Sequence, residues 1–407
     1  MGNDASVYGA FQDVASAQRD AVAISHNRRT GLQQVTYGEL ADRAQAIATA
    51  LGRWNPPIVL THVSKSNDSI ATILASAAIG KAFACLNRRL KPMQLLKIIE
   101  TTNAGFCLFD PGGFTGLPEL LAEQGRHWEF TERSGIGGMG VGYSMEPEEE
   151  GREGSRERSE VLAKAGACLF TSGSTGTPKG VLVARSDLVR RARAEVRLYE
   201  LSADDTLLSV LPLSFDVGLN QLLSGLLAGA HIVIEDSWLP VDIVRTTRAF
   251  AVTGISGVPS LWKDMLSAGV SLEGIGRNGG RLRYITVSGG DLPTKLLEKL
   301  PEFAPGIDIY KTYGQTETFR TTALLPSEYA MKYMSVGRSF EGVQFSIVRE
   351  DGTPCTAYEP GQVLHAGLGV MLGYLDGDDD TKLRFISQAG SDVDVPTVAT
   401  GDIGYVD

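Results

Sequence analysis

The sequence predicts an α/β protein of two helix-covered lobes followed by a small β lobe. Three observations carry that expectation. Short apolar runs alternate with amphipathic stretches as far as Tyr313, the pattern of parallel sheets covered by helices. A glycine-rich and then charge-dense stretch, "GIGGMGVGYSMEPEEEGREGSRERSE", interrupts the alternation at 135–160. From about Ser335 onward, strand-like runs are joined by Asp-Gly and glycine-rich turns with no helical period between them. With 407 residues, the chain is long enough for a large core and more than one lobe.

The elements follow in order. "GLQQVTYGELADRAQAIATAL" reads as a strand and then a helix with Leu40, Ala44, Ile47 and Leu51 on one face. "PPIVLTHV" is a strand, and "DSIATILASAAIGKAFACL" is a buried helix running to another. The interrupting stretch has little to bury, and its "GIGGMG" has neither a strand leading in nor a helix following, so we expect a mobile surface linker. "GACLFT" and "GVLVA" are strands bracketing a polar loop. Ser186 is the expected cap of a helix carrying Leu188, Ala192, Val196 and Tyr199. "TLLSVLPL", "AHIVIED", "VTGISGV", "LRYITVSG" and "IDIYKTYG" are further short strands. "FSIVREDGTPC", "GQVLHAG" and "VATGDIGYV" build the last lobe. The expected boundaries are 1–185 for the first lobe (linker 135–160 included), 186–330 for the second and 331–407 for the β lobe.

Composition removes several functions. A formal charge of −10, with no basic stripe, argues against nucleic acid or an anionic membrane surface as partner. Four cysteines without a CxxC pair suit a reducing cytoplasm and exclude a disulfide scaffold or thiolate zinc site. The five histidines are isolated from one another. No cationic start precedes an apolar run at the N-terminus, and no uncharged apolar stretch is long enough to span a membrane.

The chemistry gathers at "LFTSGSTGTPKGVLVAR", Leu169 to Arg185. Gly173, Gly176 and Gly180 let backbone N–H groups turn inward around an anion. Thr171, Ser172, Ser174, Thr175 and Thr177 add hydroxyls, and Lys179 adds a full positive charge. Pro178 separates Lys179 from Thr177, so the loop is not a Walker A element. A solvated hairpin turn is the plain alternative.

The string "TSGSTGTPKG" resembles the signature loop of the adenylate-forming superfamily: acyl-CoA synthetases, peptide-synthetase adenylation domains and luciferases. Other elements appear in the family's order. "VTYGEL" at Val35 is similar to its early Tyr-x-Glu-Leu element. "AAIGKAFACLNRRL" is similar to its helix-to-strand segment, with Arg88 where proline is usual. "YGQTET" from Tyr313, "GLGVMLGYL" from Gly367 and "TGDIGYVD" from Thr400 complete the set. The overall look is most similar to bacterial acyl-CoA ligases. The resemblance implies two helix-covered, mainly parallel sheets packed together, with a small β-barrel-like lobe.

It also implies a reaction in which a carboxylate attacks the α-phosphate of ATP, pyrophosphate leaves, and CoA or a carrier-protein thiol takes the acyl group. Thr171, Ser172, Gly173, Ser174, Thr175, Gly176 and Lys179 would hold the phosphates, Thr316 would reach the α-phosphate, and Glu317 would hold Mg²⁺. Tyr313 would offer its ring to the adenine, Gly289 (also beside the acid pocket) and Gly314 would touch the nucleotide, and Asp402 would accept from the ribose hydroxyls. Phe215, Asp216, Asn220, Gly257, Ser288, Thr312 and Arg320 would line the acid pocket, with Val217 and Trp262 nearby. Asp216 has two readings: it binds the amine of an amino acid, or it pairs internally with Arg320. Family members continue past the final "TGDIGYVD" into a smaller swinging domain. The expectation is therefore of a large domain without that partner, binding ATP while adenylating poorly. A non-catalytic nucleotide-binding scaffold is the alternative. A phosphotransferase is disfavoured, since no Walker B strand or catalytic Asp loop accompanies the glycine loop.

Overall fold

Two large sheets carry the molecule, each parallel at its centre and antiparallel at its rims. The computed structural model describes residues 6–28, 31–110, 115–123, 125, 128–132, 140–144, 155–171, 178–276, 279–375, 385–386 and 396–407. The first sheet runs, in spatial order, Gly373–Tyr374, Lys179–Ala184, Ala165–Thr171, Ala82–Cys85, Ile58–His62, Phe106–Phe109, Gly140–Ser144 and Trp128–Glu132. Its four central strands are parallel. The second sheet begins Arg338–Ser339, Thr322–Leu324, Asp308–Tyr313, Tyr284–Val287 and Gly254–Gly257. It ends Thr206–Ser209, His231–Ile234, Val22–Arg28 and Gly31–Thr36. Its six central strands are parallel.

The helices between the sheets form where their apolar periodicity and caps agree. Helix Tyr37–Trp54 starts on Thr36, whose hydroxyl accepts from Glu39 N while the Glu39 carboxylate accepts from Thr36 N. Its Leu40, Ala44, Ile47 and Leu51 are buried, as their spacing predicts. Helix Asn67–Ala78 is buried nearly throughout. One shared core unites Val59, Phe83 and Phe106 of the first sheet with Ile24, Leu207 and Ile232 of the second through this helical layer.

The structure departs from the expected organisation in four places. Strands Val22–Arg28 and Gly31–Thr36 fall within 1–185 yet belong to the second sheet, with Ile24 opposite Ile232. An alternating strand reads the same in either sheet, so its partner is not written locally. Inside 135–160, Gly140–Ser144 pairs with Phe106–Phe109 and Ser155–Lys164 is helical; the rest of that stretch lies outside the described residues. That strand needs no apolar run. Gly142 admits the Phe130 and Phe109 rings, which a Cβ would meet at 2.8 and 3.1 Å. The helix expected to start on Ser186 is Arg185–Leu198, with Ala184 as its cap and no capping side chain. Finally, the β lobe is an open antiparallel sheet of Val343–Val348, Gly361–Gly367, Thr397–Gly404 and Phe385–Ile386, not a closed barrel among the described residues. Gly373–Tyr374 leaves it to pair with Lys179–Ala184, and Arg338–Ser339 extends the second sheet.

Candidate active site

Parallel α/β sheets offer ligands the crevice beyond the carboxyl ends of their strands. In the second sheet those ends carry Gly257, Ser288, Thr312 and Tyr313. Ser288 Oγ and Thr312 Oγ1 are 2.6 Å apart and buried. Gly257 lies against Trp262, whose ring a Cβ would meet at 2.4 Å, so no side chain fits there. Gly289, at φ +77°, turns the chain directly after Ser288.

The β lobe closes over the Tyr313 end. Tyr313 donates to Asp402 Oδ2 at 2.7 Å, across 89 residues of sequence. Gln315 Nε2 donates to the same Oδ2 at 2.8 Å and to Thr400 O at 2.9 Å. Asp402 Oδ1 receives no hydrogen bond among the described residues, which leaves an acceptor of suitable type for a sugar hydroxyl. Gln315 is a partner that sequence reasoning missed, although it stands inside the quoted "YGQTET".

The loop from Tyr313 to Arg320 is wound tightly. A Cβ on Gly314 would lie 1.6 Å from Phe319 O, and Phe319 holds φ +62°. Its buried ring sits between two guanidiniums, Arg191 at 4.9 Å and Arg320 at 5.0 Å. Thr316 and Glu317 are half-buried on the outer turn. Glu317 Oε1 accepts from Tyr374 OH at 2.7 Å, and Glu317 O accepts from Met371 N at 2.9 Å. The Tyr374 ring also takes the Lys179 ammonium at 5.5 Å. Tyr374 thus joins the expected metal ligand to the expected phosphate lysine. Its only signal in the sequence was the Gly-Tyr element.

Thr171 ends one strand and Lys179 begins the next; they face each other in register, and Thr171 Oγ1 lies 3.5 Å from Lys179 O. The two strands that flank the polar loop therefore pair up to its edges. Ser172, Gly173, Ser174, Thr175, Gly176 and Thr177 lie outside the described residues.

The acid-pocket candidates are brought together less completely. Phe215 is the N-cap of helix Asp216–Ala228 and is half exposed, whereas Asn220 is buried. Arg320 lies 3.2 Å from Glu195 and 3.8 Å from Asp216. Burial pushes the Glu195 carboxyl up from its ordinary range, and Arg320 opposes that. The two carboxylates hold the Arg320 guanidinium charged despite its burial. Burial lowers Arg191 to about 10, with Asp187 and Asp216 opposing the shift. Glu195 and Arg191 were also missed. The available signal was charge on the buried face of their helix, in step with Leu188, Ala192 and Tyr199.

A family model described as AMP-binding enzyme matches residues 11–375. The chain belongs to that family. Among curated relatives of this AMP-binding enzyme, tyrocidine synthase 3 of Brevibacillus parabrevis is 25% identical over 392 residues, covering 94% of this chain and 6% of that protein. The 2-succinylbenzoate–CoA ligase of Bacillus subtilis (strain 168) is 25% identical over 378 residues, covering 92% of this chain and 71% of the ligase. The chain therefore spans only a small part of the synthetase and most of the ligase. The crystal structure of CmiS6 shares the fold at a TM-score of 0.84 with 22% identity, covering 100% of this chain and 96% of that one.

Proposed function

We propose that this AMP-binding enzyme activates a carboxylic or amino acid as an acyl-adenylate, using ATP and releasing pyrophosphate, for transfer to the thiol of CoA or a carrier protein. The observation that carries this reading is the meeting of Tyr313, Gln315 and Asp402. Residues far apart in sequence offer a ring and an open carboxylate oxygen side by side, as adenosine recognition requires. At the phosphate end, Glu317 and Lys179 converge on Tyr374. Glu317 Oε2 takes no hydrogen bond among the described residues. One carboxylate oxygen together with phosphate oxygens suits Mg²⁺, which is seldom held by protein ligands alone. Bound there, the ion would offset phosphate charge. The polypeptide's own share is to grip the nucleotide's sugar and tail and to align the acid with the α-phosphorus.

The acid's identity turns on Asp216. Its 3.8 Å separation from Arg320 supports internal pairing, since a carboxylate already neutralised needs no substrate ammonium. The relation to tyrocidine synthase 3 keeps an amine-bearing acid as the second reading. Calorimetric titration with AMP and with an acyl-sulfamoyl adenosine, followed by pyrophosphate exchange over fatty, aryl, α-amino and β-amino acids, tests both. Saturable binding of both nucleotides is expected. No affinity for either sinks the adenylation reading. In an Asp216→Asn variant, loss confined to the amino acids would favour the second reading.

A further inference from the structure

Lys65 is a buried cation to which the reaction as described gives no role. It sits in the loop between strand Ile58–His62 of the first sheet and helix Asn67–Ala78, and only 8% of its surface is exposed. Its side chain crosses to the second sheet. There Nζ donates to three backbone carbonyls: Ser209 at 2.5 Å, Val210 at 2.9 Å and Glu235 at 3.1 Å. An ammonium has three N–H donors, so all are used.

The place of those carbonyls gives the contact its meaning. Strands Thr206–Ser209 and His231–Ile234 run side by side up to the pair Ser209 and Ile234. Beyond that pair they separate. One leads through Leu211–Phe215 into the helix that begins at Asp216, and the other leads through Glu235 towards helix Pro240–Ala249. Lys65 grips both chains where they part. We propose that Lys65 is a positioning residue for the acid substrate: it fixes the start of the 210–216 segment, and with it the Phe215–Asp216 wall of the pocket, to the opposite sheet. This rests on the acyl-adenylate reading of the site.

The ammonium is held in a buried setting by hydrogen bonds and by two nearby carboxylates. Burial lowers the Lys65 ammonium to about 8, with Asp236 and Glu235 opposing the shift. Burial disfavours this charge, and the three carbonyls that accept from it offset part of that cost while their two chain segments are held together. The carboxylates bearing on the ammonium are those two. Asp110, which accepts from Ser64 N and Ser64 Oγ, holds the neighbouring residue in place. Once deprotonated, the amine keeps two N–H donors for three carbonyls and turns a lone pair towards the third.

The test compares AMP with an acyl-sulfamoyl adenosine whose acyl group carries no titratable atom. Lys65→Met keeps the aliphatic stem and removes the donors. Its affinity for the acyl compound is expected to fall by about tenfold or more, the scale of one lost charge-assisted contact, while AMP affinity stays within about twofold. In the unaltered protein the preference for the acyl compound over AMP should decline as pH rises through about 8, and Lys65→Met should abolish that step. The wild-type profile needs no substitution, so the test stands even if the variant fails to fold. Equal losses for both compounds, or a preference flat across that pH range, overturns the role of Lys65. Failure of the unaltered protein to bind either compound overturns the adenylation reading instead.

Discussion

Replacing Arg320 by methionine leaves Glu195 buried without its guanidinium. The Arg320 and Glu195 side chains are 4% and 2% exposed and lie 3.2 Å apart, so water cannot take over as partner. Asp216 is better placed to bear the change: it is 17% exposed and stands in the first turn of its helix, where the dipole favours negative charge. The cost therefore falls mainly on Glu195. Breaking a buried pair from one side costs about 3–5 kcal/mol, which is the expected loss for Arg320→Met at neutral pH. Two further outcomes follow from the same charge. Burial already raises the Glu195 carboxyl above its unfolded value, and removing Arg320 raises it further. The folded variant then binds a proton that the unfolded chain releases, so its deficit should shrink as pH falls from neutral towards the ordinary carboxylate range. In addition, Arg320→Met combined with Glu195→Gln should recover most of the loss. Urea unfolding of the wild type, both single variants and the double variant, at two pH values, measures the coupling directly. A cost below about 1 kcal/mol for Arg320→Met, or no recovery in the double variant, refutes the charge argument.

Two other predictions concern the same region. His365 is buried between Thr321 Oγ1 and Leu368 O, and burial lowers its imidazole to about 4 from 6.5. The folded chain thus excludes a proton that the unfolded chain binds, so stability is present above the unfolded value and is lost as pH falls. The loss from this group is about 2 kcal/mol by pH 5, and His365→Gln should remove that share of the acid sensitivity in thermal melts. Gly314→Ala places a methyl 1.6 Å from Phe319 O and should abolish AMP binding in calorimetry. Gly52→Ala, with nothing within 4 Å of its added methyl, should leave binding unchanged.

Much of the architecture was legible because its causes are local. Apolar periodicity marked the helix Tyr37–Trp54 and the central strands, whereas the Thr36–Glu39 cap that starts this helix was seen only in the structure. The two strands bracketing the polar loop were read correctly, since apolar runs flank it on both sides. Pairing choices were not legible. Nothing in Val22–Arg28 states that it will lie beside His231–Ile234, because strand partnership depends on what the rest of the chain leaves open. The strand Gly140–Ser144 escaped notice because backbone hydrogen bonds hold it, not an apolar pattern.

The sequence by itself determined the kinds of chemical group present and their order: the glycine and hydroxyl loop, the Tyr-Gly-Gln-Thr-Glu turn, and the aspartate near the end. Residue type and local backbone freedom decide those matters, and both are properties of short segments. The tertiary structure alone decided which groups meet. It set Gln315 beside Tyr313 on Asp402, Tyr374 between Glu317 and Lys179, Arg320 between Glu195 and Asp216, and Lys65 on the far sheet. For Arg320 and Lys65 the physical reason is burial. Once two sheets and their helices exclude water, each enclosed charge must find its partner wherever the fold has carried one, and distance along the chain ceases to matter.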